Sequence, residues 1–289
     1  MRTTYICIEL NRILRRYRKI LKLSKKLGQH IMRGCSLAMD FANMLRKLQP
    51  SNVLEIGTGI GSLTIILSNF SRKVVSIEID PRLAYIAKDV LRRYHNVEII
   101  LGDGLTFLRT SSIKADIICA NPPFNITGPL ISTIVKSNYN LALITLQKEV
   151  AEKLTTSPGT RSYGRLTAFV RTFMNVELIN SYSPEEFLPE PEVSISLVLL
   201  SRKRKWESRW TLYEEFIKCV FGQRRKLAYK VIKKCLESRL NLEYRKCKEL
   251  ERYRDIRIFS LDPESLVNIF NECVAVESSE TLTSRKFQA

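Results

Sequence analysis

The chain has 289 residues, 45% of them hydrophobic, with 47 Lys and Arg against 29 Asp and Glu for a net charge of +18. A chain of this length buries one substantial core with room for a smaller second one, and no apolar run approaches the ~18 residues of a membrane-spanning helix. Two histidines, His30 and His95, are too few for mechanisms built on several imidazole ligands or bases, and no metal site is expected.

In chain order, residues 1–26 read as a basic helix with apolar positions at Ile6, Leu10, Ile13, Leu14, Tyr17, Ile20 and Leu21. From about residue 51 strands and helices alternate. NVLEIG, KVVSIEID, NVEIILGD, ADIICAN and NLALITLQ read as strands, GSLTIILSNF and PRLAYIAKDVLRRY as helices, and NVELINSYS and VSISLVLLSRK as late strands. Such alternation predicts a parallel α/β sheet covered by helices on both faces. After about residue 203 the periodicity is wholly helical, in WTLYEEFIKCVF, RKLAYKVIKKCLESRL and PESLVNIFNECV. Three domains follow: a basic extension over 1–26, a catalytic domain over 27–203 and a helical domain over 204–289.

Charge follows the same divisions. Residues 1–50 carry 12 Lys/Arg against 2 Asp/Glu, residues 51–200 carry 14 of each, and residues 201–289 carry 21 against 13. A neutral body between two basic flanks suits a catalyst that grips a polyanion, and nucleic acid is the expected partner. The seven cysteines form no C-x-x-C pair and are odd in number, which predicts buried thiols in a reducing compartment. MRTTYICIEL lacks the apolar stretch of a secretory leader, and a cytoplasmic, monomeric, membrane-free protein is expected.

The segment VLEIGTGIG puts Gly57, Gly59 and Gly61 between a strand and a helix, where glycine permits a tight turn and close approach of a ligand to the backbone. Glu78 ends the next strand, 21 residues after Gly57, where a carboxylate can accept the ribose hydroxyls of an adenosine cofactor. Alone, such a loop also suits NAD, FAD or nucleotide phosphates. Asp103 closes the third strand, placed either to accept an adenine amine or to cap a helix.

The strand ADIICA runs into Asn121-Pro122-Pro123-Phe124. Consecutive prolines hold an extended turn, leaving the Asn121 side-chain oxygen and the Pro122 carbonyl to accept from one NH2 group. An adenine amine is a poor nucleophile because its lone pair is delocalised into the ring. Two fixed acceptors favour a localised lone pair at the nitrogen, and Phe124 can stack on the base. By itself the motif does not choose between adenine and glutamine.

Taken as a series, KLGQHIM, VLEIGTGIGSLT, VVSIEID, LGDGL, NPPFNIT, QKEVAEKL, YGRLTAFV, FLPEPEVSISLV and FGQRRKLAYKVI resemble the ribosomal RNA adenine N6,N6-dimethyltransferase family. The resemblance implies a seven-stranded Rossmann-like class I methyltransferase domain followed by a small all-helical domain, with S-adenosylmethionine as cofactor. It places Gln29, His30, Met32, Gly57, Gly59, Glu78, Asp103 and Asn121 at the cofactor, and Asn121, Pro122, Phe124 and Phe187 at the target base. NPPF stands where the family usually has Asn-Leu-Pro-Tyr, and His30 where it usually has Asn. The implied activity is dimethylation of two adjacent adenosines near the 3′ end of small-subunit rRNA, on an assembling subunit.

For RNA contact, Arg224, Arg225 and Lys226 are expected to start a helix continuing through Lys230, Lys233 and Lys234, with the four lysines on one face. Arg165 of the YGRL segment is a further candidate near the substrate. Two alternatives remain: a DNA-adenine or protein-glutamine methyltransferase sharing the NPPF chemistry, and a non-catalytic assembly or transcription factor on the same fold.

Overall fold

The computed structural model describes residues 2–17, 23, 29–111, 113–240 and 248–273. Its elements in chain order are α1 (Arg2–Tyr17), β1 (Ile31–Met32), α2 (Cys35–Leu48), β2 (Asn52–Ile56), α3 (Ser62–Phe70), β3 (Lys73–Glu78), α4 (Pro81–Leu91), β4 (Val97–Leu101), α5 (Gly104–Thr110), β5 (Ile117–Ala120), α6 (Thr127–Lys136), β6 (Leu141–Gln147), α7 (Lys148–Thr155), α8 (Arg165–Phe173), β7 (Met174–Tyr182), β8 (Phe187–Leu188), β9 (Ile195–Arg202), α9 (Trp210–Phe221), α10 (Ala228–Lys234), α11 (Lys248–Glu251) and α12 (Pro263–Cys273).

By its contacts the chain divides into one unit of residues 1–152 with 175–202 and another of 153–174 with 203–289. This division differs from the linear one in two places. Segment 153–174 groups with the helical residues, and the N-terminal helix groups with the sheet.

The first unit holds a seven-stranded sheet in the order β4-β3-β2-β5-β6-β9-β7. β2 pairs in parallel with β3 and β5, β3 with β4 and β5 with β6, while β9 runs antiparallel to β6. The central strands are apolar along their length because helices cover both faces: Ile117 to Ala120 and Ala142 to Ile144 are fully buried. Helix starts follow sequence signals. Asp80 caps α4, accepting from the Arg82 N–H, with Pro81 in the first turn, and Asp103 caps α5, accepting from the Leu105 N–H.

In α1, Ile6, Leu10, Ile13, Leu14 and Tyr17 are buried, as their spacing predicts. Ile6 and Leu10 join a core with Phe41 and Leu63, and Ile13, Leu14 and Tyr17 one with Ile60, Ile65 and Leu83. Ile20, Leu21 and the first three residues of KLGQHIM lie outside the described residues.

The cysteine reading is overturned at five of the described positions: Cys273 is disulfide-bonded, as are the four cysteines of two described pairs. Cys7 and Cys35 are disulfide-bonded with Cα atoms 5.4 Å apart, as are Cys219 and Cys235 at 6.0 Å, while Cys119 is a buried free thiol. Pairing depends on tertiary adjacency, which linear spacing does not reveal. Cys7–Cys35 ties α1 to the start of α2.

The second unit is built on aromatic rings. Phe173 of α8 meets Trp210 edge-on at 5.4 Å between centroids, Trp210 meets Tyr213 at 5.6 Å, and Tyr213 meets Phe270 of α12 at 5.2 Å. Phe173 at the centre of this cluster is why 153–174 folds with the C-terminal helices.

Candidate active site

At the C-terminal ends of β2, β3 and β5 lies an open cleft, within the first unit. Open α/β sheets place ligands at this edge. Gln29, His30, Gly57, Gly59, Glu78, Asp103 and Asn121 all line it, so seven of the eight residues expected at the cofactor meet in one place. Apolar walls come from Ile79, Leu83, Leu105 and Ile126.

Gly57 and Gly59 have φ of +88° and +57°, in the left-handed region that suits glycine. A Cβ built on either meets no atom within 4 Å, so both present bare backbone to open space. The Gly59 N–H donates to Glu78 Oε2 at 2.7 Å, and the Asp80 N–H donates to Oε1 at 2.8 Å. Glu78 thereby holds the loop to the end of β3. Its burial raises the carboxyl above the usual carboxylate range, and the backbone N–H groups pull it back only in part.

Asp80 was not among the expected residues. Its carboxylate accepts from Gln29 Nε2 at 3.1 Å and from Arg82 Nη2 at 2.6 Å, and the guanidinium holds its pKa down to about 2. It therefore orients Gln29 at the cleft. A sequence signal existed: Asp immediately before a helix-opening proline. Asp103 serves as a helix cap while lining the cleft, its Oδ2 accepting from the Thr106 hydroxyl at 2.7 Å.

Asn121 leaves the end of β5 with both ends of its amide engaged. Its Nδ2 donates to the His30 carbonyl at 3.1 Å, and its Oδ1 accepts from the Thr145 hydroxyl at 2.6 Å. The oxygen expected to be free is thus half-used, with one lone pair remaining. Thr145 stands on β6 and is buried, and sequence reading did not single it out. Its signal was a lone hydroxyl in the apolar run LALITLQ. Pro122 is buried, and Phe124 is half-buried and stacks on His30 at 5.0 Å with 24° between planes. The His30 Nδ1 in turn contacts the Pro189 carbonyl at 2.8 Å.

Four expected residues do not line the cleft: Pro122 and Phe124, which follow shortly after Asn121, and Met32 and Phe187. Met32 and Phe187 pair across β1 and β8, and both side chains are buried in the core with Leu37 and Phe41. Strand pairing turns them inward, which a motif position cannot show. The basic segment also differs: residues 223–225 form turns, Lys226 a bend, and the helix starts at Ala228. Backbone bonds explain this, since the Ala228 N–H donates to the Ile256 carbonyl and the Ile258 and Phe259 N–H groups donate to the Lys226 and Arg224 carbonyls. The Arg224 guanidinium is spent on the Tyr163 carbonyl at 2.7 Å. Arg225, Lys226, Lys230 and Lys234 are exposed, and Lys233 is half-buried.

A seven-stranded sheet with β9 antiparallel to β6, a glycine loop after β2 and an acid closing β3 define a class I methyltransferase. The chain belongs to the ribosomal RNA adenine dimethylase family, whose profile matches residues 20–283. It is 34% identical over 206 residues to the ribosomal RNA small subunit methyltransferase A of Thermotoga maritima, covering 71% of this chain and 72% of the relative. It is 36% identical over 205 residues to the probable ribosomal RNA small subunit methyltransferase A of Pyrobaculum islandicum, covering 70% and 83%. Among solved structures, a dimethyladenosine transferase from Plasmodium falciparum superposes with a TM-score of 0.71 at 26% identity, over 83% of this chain and 97% of that one. The 23S rRNA methyltransferase ErmE shares the fold, with a TM-score of 0.62 at 23% identity over 83% and 98%. S-adenosylmethionine is the methyl donor of this fold class.

Proposed function

We propose that the chain methylates the N6 amine of adenosine in small-subunit ribosomal RNA with S-adenosylmethionine, giving N6,N6-dimethyladenosine at two adjacent positions near the 3′ end. It acts as a monomer on an assembling subunit. The observation that carries the reading is Asn121, locked by Thr145 and His30 at the rim of the glycine-loop cleft, with Phe124 beside it.

The cleft fits the cofactor on chemistry. Bare backbone at Gly57 and Gly59 gives room that a side chain would fill, Glu78 retains acceptor capacity for hydroxyls, and Ile79, Leu105 and Ile126 suit a flat apolar ring. Asp103 is placed to accept from an exocyclic amine. Bound there, S-adenosylmethionine supplies an electrophilic methyl group.

The protein's own part is orientation. Asn121 Oδ1 has one lone pair left, and the fixed amide directs it at an incoming NH2 group. The Pro122 carbonyl is the second acceptor. Holding both N–H bonds favours a localised lone pair, and preorganised acceptors of this kind contribute on the order of 3 kcal/mol. Phe124, already stacked on His30, offers its ring to the displaced base. The proton lost from the amine passes to solvent without a strong base. On the helical unit, Arg225, Lys226, Lys230, Lys233 and Lys234 contact phosphates, and Arg224 positions the segment through Tyr163.

Methyl transfer from labelled cofactor tests the reading. Label is expected in a small-subunit rRNA transcript, and label instead in DNA or in a glutamine-bearing peptide would contradict it.

A further inference from the structure

The basic N-terminal helix has no part in the site described above, yet it is not a loose arm. It is buried along Ile6, Leu10, Ile13, Leu14 and Tyr17 and tied to α2 by Cys7–Cys35. Between α1 and α4 it leaves a groove of about 270 Å³. Four arginines line that groove: Arg12 and Arg16 from α1, and Arg92 and Arg93 from the end of α4.

The acids that face these arginines are Glu9 and Asp89. Arg12 pairs with Glu9 at 2.8 Å, Arg16 with Asp89 at 2.9 Å, and Arg92 approaches Asp89 at 3.9 Å. Among the described residues of the groove, four guanidinium groups thus meet two carboxylates. Their exposures are asymmetric. The Glu9 side chain is 8% exposed and that of Asp89 36%, whereas those of Arg12, Arg16 and Arg92 are 60% to 64% exposed. The acids sit low and the cations face solvent. The two pairs to Asp89 are exposed and contribute little to stability, so folding does not account for Arg16 and Arg92.

Tyr85 adds an aromatic ring. It is 79% exposed on α4, and residues 85, 89 and 92 share one helix face at i, i+4 and i+7. A solvent-facing ring beside a cationic track is the combination that binds single-stranded nucleic acid, stacking bases while arginines hold phosphates. From Glu9 to Tyr17 the α1 wall is ~12 Å long, room for about three nucleotides at stacked spacing. α4 also links the groove to the methyl-donor cleft. Leu83 lines the cleft and Asp89 the groove, six residues or ~9 Å apart along one helix.

We infer that the α1–α4 groove is a second RNA site, holding a single-stranded stretch of the substrate by its phosphates, with Tyr85 stacking on one base. The inference rests on the proposed RNA substrate and names a contact for the N-terminal extension.

The test is equilibrium binding of a small-subunit rRNA transcript to the full chain at several salt concentrations. The double variant Arg12→Gln/Arg93→Gln is expected to bind about tenfold more weakly at 0.1 M salt, with the slope of log affinity against log salt reduced by about 1 to 2. Arg12→Lys/Arg93→Lys should restore most of the slope, and Tyr85→Ala should weaken binding several-fold without changing it. Cofactor affinity, measured in parallel, should match wild type in all three. Unchanged isotherms and slope in the glutamine variant would overturn the inference. So would loss of binding to phosphatidylglycerol vesicles with RNA binding intact. If the wild-type protein transfers no methyl group to RNA, the functional reading fails, while the groove is still judged on these isotherms.

Discussion

The Thr145 hydroxyl donates to Asn121 Oδ1 at 2.6 Å, so a residue of β6 sets the orientation of the amide that ends β5. Opposite it, the His30 carbonyl accepts from the Asn121 amide nitrogen. The amide therefore has one orientation, and its remaining lone pair has a fixed direction. Replacing Thr145 by Val keeps the shape and removes the donor. The expected result is a kcat lower by about 10- to 100-fold, since misplacement of a positioning group costs on that scale. Thr145→Ser should keep most of the rate. Equal kcat in the Val and wild-type proteins would show that the hydroxyl does not orient Asn121.

Gly57 adopts φ +88°, where a non-glycine residue is strained by ~1–2 kcal/mol. Gly57→Ala also puts a methyl group in the open space at the cleft. Affinity for S-adenosylmethionine, read by calorimetry, should fall at least about fivefold, with unfolding lowered by a few degrees. Wild-type affinity in this variant would mean that the loop is not part of the cofactor site.

Glu55 on β2 is fully buried, accepts from the Ser76 hydroxyl at 2.5 Å and the Thr64 hydroxyl at 2.7 Å, and has its pKa pushed up to about 8 by burial. Its ordinary value is 4.5, so between pH 4.5 and about 8 the folded chain holds a proton that the unfolded chain has released. This contribution to stability is full below the unfolded value and is lost as pH rises through that window. In Glu55→Gln the side chain cannot ionise. Melting temperatures of the two proteins should diverge from pH 5 to 8, with the wild type falling relative to the variant. Parallel curves would contradict the assignment.

The Cys7–Cys35 bond spans 28 residues. Loop closure of that size gives a stabilisation of about 3–4 kcal/mol. Cys7→Ser should lower the melting temperature by roughly 10 °C, and reductant should lower that of the wild type. Coincident melts of wild type and variant would show that the bond contributes nothing in solution.

The sheet was legible because its strands are short apolar runs punctuated by Gly, Asp or Asn, and the grouping of Gly57, Glu78, Asp103 and Asn121 in one cleft because each ends such a run. What sequence did not reveal depends on neighbours distant along the chain. Thr145 became legible only when β6 was paired beside β5, and Asp80 only when Gln29 was brought to it. Phe187 and Met32 pair with each other and turn into the core. Residues 223–227 have helical composition, yet their backbone bonds to 256–259 delay the helix to Ala228. Segment 153–174 lies between strands of the sheet along the chain, whereas its grouping is set by the rings around Phe173.

The most direct test of the central claim is nucleoside mass spectrometry of small-subunit rRNA after incubation with S-adenosylmethionine and either wild-type protein or Asn121→Ala. The expected result is N6,N6-dimethyladenosine with the wild type and at least about 100-fold less with the variant, whose cooperative unfolding transition is retained. Equal dimethylation by Asn121→Ala, or none by the wild type, would contradict it.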